Sequence, residues 1–209
     1  MKYLLKYYKS IIFFYAIKYG IKKVEMIKLN LCGGSLRIPS YFNVDLSMRA
    51  DLTLDLEKRL LPFPSNSMDT VVCISSINYF TRERGQEIIA DVYRILRPGG
   101  IARFGVQDLY KISQKYINRD QAFFSQKLSN GKDRFAGETM ADKINSWFYG
   151  YKALGKGGKY FYDFETLALL FKKAGFSKIE QKKYGGSRIT EVKDIDNRED
   201  QMFFLEAIK

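Results

Sequence analysis

The run Ile27-Lys28-Leu29-Asn30-Leu31-Cys32-Gly33-Gly34, followed by Tyr41-Phe42-Asn43-Val44-Asp45, decides how this chain folds. The first half is a short apolar strand, Ile27–Cys32, that stops on two glycines. The second, Phe42–Val44, stops on an acid. Glycines let a backbone approach a ligand closely at the carboxyl end of a strand, so this is a nucleoside-binding layout. An acid about a dozen residues past the glycines is placed to accept hydrogen bonds from ribose hydroxyls. A dinucleotide fold would want G-x-G-x-x-G opening a helix, with pyrophosphate on the helix N-terminus. Gly33-Gly34-Ser35-Leu36 fails that spacing and carries no basic residue, which disfavours a nicotinamide cofactor.

Outward from this unit, short apolar runs alternate with helical stretches, as βαβ units and a parallel sheet require. Asp51–Leu56 is a third extended run. Asp69–Ser75 is apolar throughout, as expected of a strand buried on both faces. Arg82–Leu96 is an amphipathic helix, stopped by Pro98-Gly99-Gly100, and Ile101–Val106 is the next strand. Residues 109–157 read as helical with aromatic and polar residues mixed, ending in a turn rich in glycine. Asp163 is an N-cap for Glu165–Lys173, with Gly175 at the far end; Ser177–Lys183 and Met202–Ile208 are two final strands.

Composition narrows the chemistry. At 209 residues one domain is the default, able to bury roughly two-thirds of its unfolded surface. The chain has no histidine, which removes Ser-His-Asp triads, Cys-His dyads and His-liganded zinc. Its two cysteines, Cys32 and Cys73, cannot make an all-cysteine zinc site, so no metal is expected. Both lie in apolar strands, which points to a reducing cytoplasm. The formal charge of +12 raises nucleic acid as a partner. The lysines are scattered, however, the stretch from Glu191 to Asp200 is acidic, and no nucleic-acid-binding motif is present.

Residues 1–26 differ from the rest, with Lys2, Lys6, Lys9, Lys18, Lys22 and Lys23 against one acid, Glu25. Leu4, Tyr8, Ile11, Tyr15 and Tyr19 recur at helical spacing, so a helix with one apolar face is expected. Its apolar centre, Ile11 to Ile17, is far short of the ~20 residues that span a bilayer. Two uses fit residues 1–23: a peripheral contact with an anionic membrane, or packing on the domain or a second subunit. Residues 27–209 then form the α/β domain.

Taken together, several stretches resemble class I S-adenosylmethionine-dependent methyltransferases of the methyltransferase-11 type, found in polysaccharide and surface-glycan biosynthesis. They are Leu29 to Gly34, Ile38 to Asp45, Asp55-Leu56, Leu61 to Asp69 and Val92 to Gly100. The likeness continues through Arg103 to Leu109, Ala174-Gly175-Phe176 and Asp194-Ile195-Asp196-Asn197-Arg198. It implies a Rossmann-like sheet of seven strands, mostly parallel with one antiparallel strand near the C-terminus, and helices on both faces.

The resemblance also implies roles. Asn30, Leu31, Cys32, Gly33 and Gly34 would line the methionine end of S-adenosylmethionine. Asp45 would accept both ribose hydroxyls, a paired contact that suits a carboxylate. Leu46 would pack on the adenine face, Asp55 and Leu56 would meet its edge, and Ser75 and Ser76 would sit near the sulfonium. Read without the resemblance, Asp45 is a turn residue and Asp55 a surface acid, while Asp69 and Pro62-Phe63-Pro64 are scaffold.

This chain departs from its relatives at the acceptor end. Ser75-Ser76-Ile77-Asn78-Tyr79 stands where they place His-x-x-Glu-His, and Gln107 replaces a common proline. With no histidine, the candidate bases are Asp108, after the fifth strand, and Tyr79; otherwise Asp108 is a capping acid and Tyr79 a packing residue. The leading expectation is methyl transfer to an O or N acceptor on a sugar or glycan precursor, releasing S-adenosylhomocysteine. A non-catalytic cofactor-binding partner in a surface-assembly complex is the alternative. A nucleic-acid methyltransferase is a third reading, but the Asn/Asp-Pro-Pro-aromatic motif of base-modifying enzymes is missing after the fourth strand.

Overall fold

Leu29 and Leu31 have no solvent exposure and anchor the strand Lys28–Leu31 (β1) in the largest apolar cluster. The computed structural model describes residues 27–34, 37–150, 152–153 and 155–209, so the helix expected over 1–26 lies outside the described residues. β1 pairs in parallel with Tyr41–Asp45 (β2), which in turn pairs with the two-residue edge strand Leu52–Thr53 (β3). The run expected over Asp51–Leu56 is shorter because its acids turn inward. Asp51 Oδ2 accepts from the main-chain and side-chain amides of Asn43, and the Asp55 carbonyl accepts from Lys58 and Arg59 as the chain turns.

On the other side of β1 lies Met68–Ile74 (β4), the apolar run expected to be central. Asp69 acts as scaffold there, its Oδ2 accepting from the Ile27 amide at 2.6 Å. A 3-10 turn, Ile77–Tyr79, leads to the helix Arg82–Ile95 (α1), capped by Thr81. Ile88, Ile89, Val92 and Ile95 are its buried face. The buried Asp91 and its neighbour Arg94 clamp the Pro62-Phe63-Pro64 turn, Asp91 accepting from the Leu61 amide and Arg94 donating to the Phe63 carbonyl.

The helix ends one residue before expectation, and Pro98-Gly99-Gly100 does not turn the chain away. Arg97, which precedes Pro98, is kept out of the helical region, and the capping residue Leu96 is already extended at ψ 144°, so the strand Leu96–Gln107 (β5) begins at once. Helices Leu109–Ile117 (α2), Gln121–Phe124 (α3) and Met140–Asn145 (α4) follow. A π turn at Ser146–Gly150 then precedes a small hairpin, Lys152–Ala153 (β6) against Lys156–Gly157 (β7). This insertion has its own core of Ile112, Phe123, Phe124, Phe135 and Trp147. The helix Phe164–Ala174 (α5), capped by Asp163 and closed by Gly175 at φ +104°, returns to the sheet. Ser177–Lys182 (β8), a short helix Val192–Ile195 (α6) and Met202–Ile208 (β9) complete the chain.

The strand order is β3-β2-β1-β4-β5-β9-β8. β9 runs antiparallel to both β5 and β8, so one strand of the seven opposes the rest. The order in which strands join the sheet reverses between the parallel neighbours β1 and β4, and the carboxyl edge at such a switch point is where open α/β sheets bind ligands.

One charged cluster is sealed inside this sheet. Arg103, in β5, has no solvent exposure, and neither do the side chains of its partners Asp196 and Glu206. Its Nε and Nη2 donate to the two Asp196 oxygens, and its Nη1 to Glu206 Oε1 at 2.8 Å. Removing one member of such a cluster leaves the other charges buried and uncompensated, at a cost of about 3–5 kcal/mol. Arg103→Met should therefore lower stability by that amount in urea unfolding; a loss below about 1 kcal/mol would show that Asp196 and Glu206 do not depend on it.

Candidate functional site

Two cavities open along the carboxyl edge. The larger, about 670 Å³, lies over the ends of β1, β2 and β4. Of the residues singled out from the sequence, it collects Cys32, Gly33, Gly34, Asp45, Leu46 and Asp55, together with Leu56, Ser75, Ser76 and Tyr79. Asn30 and Leu31 lie beneath it rather than on its wall. The Asn30 amide donates to Asn43 Oδ1 at 2.9 Å, tying β1 to β2, and Leu31 is in the apolar core. Asp108 lines neither cavity. It caps α2, its Oδ1 accepting from the amides of Tyr110 and Lys111. Burial raises its pKa, against the opposing pull of the Lys111 amide and charge and the Tyr110 amide.

The loop after β1 is held by its neighbours. Ser76 Oγ donates to the Cys32 carbonyl at 2.8 Å, and the Cys32 amide donates to the Val44 carbonyl. Gly34 sits at φ +59°, where an added Cβ would meet nothing, so backbone conformation and not crowding calls for glycine. Cys32 and Ser75 adopt φ of +54° and +61° without that licence. Both close strands that face the cavity, and strain of this kind collects at functional sites.

Asp45 is buried, 8% exposed, with each oxygen holding one main-chain amide: Oδ2 accepts from Gly34 at 2.9 Å and Oδ1 from Ser47 at 2.7 Å. A carboxylate has about four acceptor positions, so about two remain for a ligand. Asp55 Oδ1 accepts from the Glu57 amide and from Lys156 Nζ at 2.9 Å; the lysine contact is the main reason its pKa is lowered. Lys156 belongs to the β6–β7 hairpin, and Lys159 just beyond it pairs with Glu57 at 2.8 Å. The insertion is thus pinned across the mouth of the larger cavity.

The smaller cavity, about 290 Å³, lies between the ends of β4 and β5 and the insertion. It shares Tyr79 and Arg198 with the larger one. Sequence reasoning assigned no role to Arg198, Asn197, Gln107, Trp147 or Lys156. Asn197 and Arg198 stood within a recognised stretch, and Gln107 as a departure from relatives, so those three carried a signal. Trp147 and Lys156 carried none, because only the insertion's fold brings them here.

Comparisons with known proteins agree with this layout. Residues 35–104 match the family model described as Methyltransferase domain. The chain is 28% identical over 131 residues to the demethylmenaquinone methyltransferase of Lactococcus lactis subsp. lactis (strain IL1403). That match covers 62% of this chain and 46% of the relative, so the chain aligns with about half of that protein's length. Among solved structures, an S-adenosylmethionine-dependent methyltransferase of Thermotoga maritima superposes with a TM-score of 0.52 at 16% identity, over 100% of this chain and 97% of the other. One from Archaeoglobus fulgidus gives 0.51 at 12% identity, over 96% and 94%. At these identities the structures speak for the fold.

Burial, more than its carboxylate neighbours Asp45 and Asp55, pushes the Cys32 thiol up to about 12. A raised thiol pKa means the neutral form persists at every pH below that value, so Cys32 offers no thiolate to the cavity. Burial likewise raises Cys73. Alkylation of the native protein by iodoacetamide at pH 8 should run at least a hundredfold slower than for a free cysteine of pKa about 8.5. Mass spectrometry reads the rate site by site, and rapid labelling of Cys32, which is partly exposed on the cavity wall, would contradict its raised pKa.

Proposed function

We infer that this chain, with the domain match and sheet order of class I S-adenosylmethionine-dependent methyltransferases, binds that cofactor in the larger cavity and methylates an oxygen or nitrogen of a small molecule. The observation that carries the reading is the buried Asp45 carboxylate, fixed by two amides with acceptor positions to spare. Two adjacent ribose hydroxyls are the donors that such a carboxylate suits. Leu46 then packs on the adenine, Asp55 Oδ2 and Leu56 meet its edge, and the Cys32-Gly33-Gly34 main chain follows the methionine end. Ser75 and Ser76 stand by the sulfonium.

When bound, the cofactor supplies a methyl carbon already activated on a sulfonium. The chain's task is alignment, and fixing two reactants in register can remove about 7–11 kcal/mol of barrier. Tyr79, shared by both cavities, is placed to orient the acceptor where the cavities meet. Asp108 serves as a positioning residue, holding α2 and the end of β5, and with it Gln107, against the smaller cavity. A neutral Cys32 thiol keeps the site free of a competing nucleophile. The sugar-type acceptor implied by the resemblance belongs in the smaller cavity.

Asp45→Ala should weaken binding of S-adenosylhomocysteine at least tenfold, about 1.4 kcal/mol, by titration calorimetry on a folded variant. Unchanged affinity would remove the cofactor from this site.

The basic, aromatic segment 1–23 supports peripheral contact with anionic lipid. Each lysine near such a surface contributes on the order of 1 kcal/mol. Deleting residues 1–23 should abolish co-sedimentation with phosphatidylserine vesicles and leave cofactor affinity unchanged. If the full chain does not sediment with them, the segment serves packing or subunit contact instead.

A further inference from the structure

We propose that the smaller cavity is an acceptor pocket for a single polyhydroxylated ring bearing an anionic group, a sugar phosphate or sugar carboxylate, recognised through Asn78, Gln107 and Arg198. The identification of the acceptor class rests on the methyltransferase reading; the binding site itself does not. The first support is the pair Asn78 and Gln107, which line the cavity and whose side-chain oxygens, Asn78 Oδ1 and Gln107 Oε1, are buried with no hydrogen-bond partner among the described residues. Asn78 is only 4% exposed. Leaving a buried acceptor unpaired costs about 1–3 kcal/mol, so a native structure that keeps two in one cavity is prepared for a ligand that donates. Hydroxyls are such donors.

The second support is charge. Lys127, Arg134 and Arg198 line the cavity, and among the described residues no carboxylate does. Lys127 is paired with Asp133 and Arg134 with Asp200. Among the described residues Arg198 has no carboxylate partner, and its guanidinium offers the planar fork that phosphate and carboxylate groups fit. The third support is the apolar wall formed by Trp147, Phe148 and Phe161, whose rings lie 4.8–5.2 Å apart by centroid, with Phe148 edge-on to the other two. Size sets the limit. At about 290 Å³ the cavity is at the small end of ligand pockets, usually ~300–1,000 Å³, which suits one ring with one small anionic substituent.

Trp147 is the chain's one tryptophan, so its fluorescence reports directly on this cavity. Glucose 1-phosphate and glucuronate serve as probes, with glucose and inorganic phosphate as partial ligands and S-adenosylhomocysteine titrated in parallel by calorimetry. Saturable quenching by either anionic sugar, at least tenfold tighter than by glucose or phosphate alone, is the expected result. Which of the two binds tighter identifies the anion. Arg198→Gln should erase the advantage over glucose, and Asn78→Leu, at a position outside the larger cavity, should weaken sugar binding at least fivefold while keeping S-adenosylhomocysteine affinity within threefold. No quenching by either anionic sugar, or quenching by phosphate alone at equal affinity, overturns the proposal. So does an Arg198→Gln protein that binds the sugars normally and loses S-adenosylhomocysteine, since Arg198 would then belong to the cofactor. Sugar binding without any S-adenosylhomocysteine binding would sustain the pocket and refute the methyltransferase reading.

Discussion

Arg103 sits at zero exposure in the middle of β5 and holds the C-terminal quarter of the chain in place. Its guanidinium engages Asp196, from the loop after α6, and Glu206, from β9, while donating also to the Gly186 carbonyl. A charge so buried is tolerated only with every partner present, and those partners come from three separate segments. The Asp196 carboxylate additionally accepts from the Gly185 amide, and Glu206 Oε2 from that of Arg188. The cluster fixes where residues 185–206 must run.

That constraint reaches both cavities. Asn197 and Arg198 follow Asp196 directly, so once its carboxylate is locked on Arg103 they fall at the carboxyl edge of the sheet. Asn197 Oδ1 accepts from Ser75 Oγ at 3.0 Å, joining the C-terminal loop to the end of β4. Gln201, four residues beyond Asn197, accepts from Trp147 Nε1 at 2.6 Å and so anchors the insertion's aromatic core. A single buried cation thus aligns the larger cavity's wall, the shared boundary and the smaller cavity's aromatic face.

The two cavities differ in how they are built. The larger is made of strand ends and tight turns, supported by main-chain bonds such as Cys32 to Val44 and Ser75 to Gly105. The smaller depends on the insertion, whose core of stacked phenylalanines packs separately from the sheet. One fold can carry different sites when the residues at its edge are supplied by a separately packed insertion. Here Asn78 and Gln107 bring buried amide oxygens, not titratable groups, to the smaller cavity.

The sequence alone determined the sheet and the larger cavity. Period, glycine turns and capping residues are local signals, so Leu29 to Asp45, the apolar β4 and the Asp163-capped α5 could be read from neighbours in the chain. The position of Asp45 at the end of β2, on the wall of the larger cavity, was legible because it follows from the strand pattern. Asn30 lies in the recognised motif, and its amide also ties β1 to Asn43 across the sheet, a contact the motif does not record. Only tertiary structure decided that Asp108 caps a helix, that Lys156 reaches Asp55 from 101 residues away, and that Arg198 stands between two cavities. The pairing of Arg103 with Asp196 spans 93 residues, and no local pattern records it. Acids in the stretch Glu191 to Asp200 look like a solvated run in sequence, and the fold buries one of them beneath the sheet. Burial and long-range partnership decide what a charged side chain does, and both are properties of the packed chain.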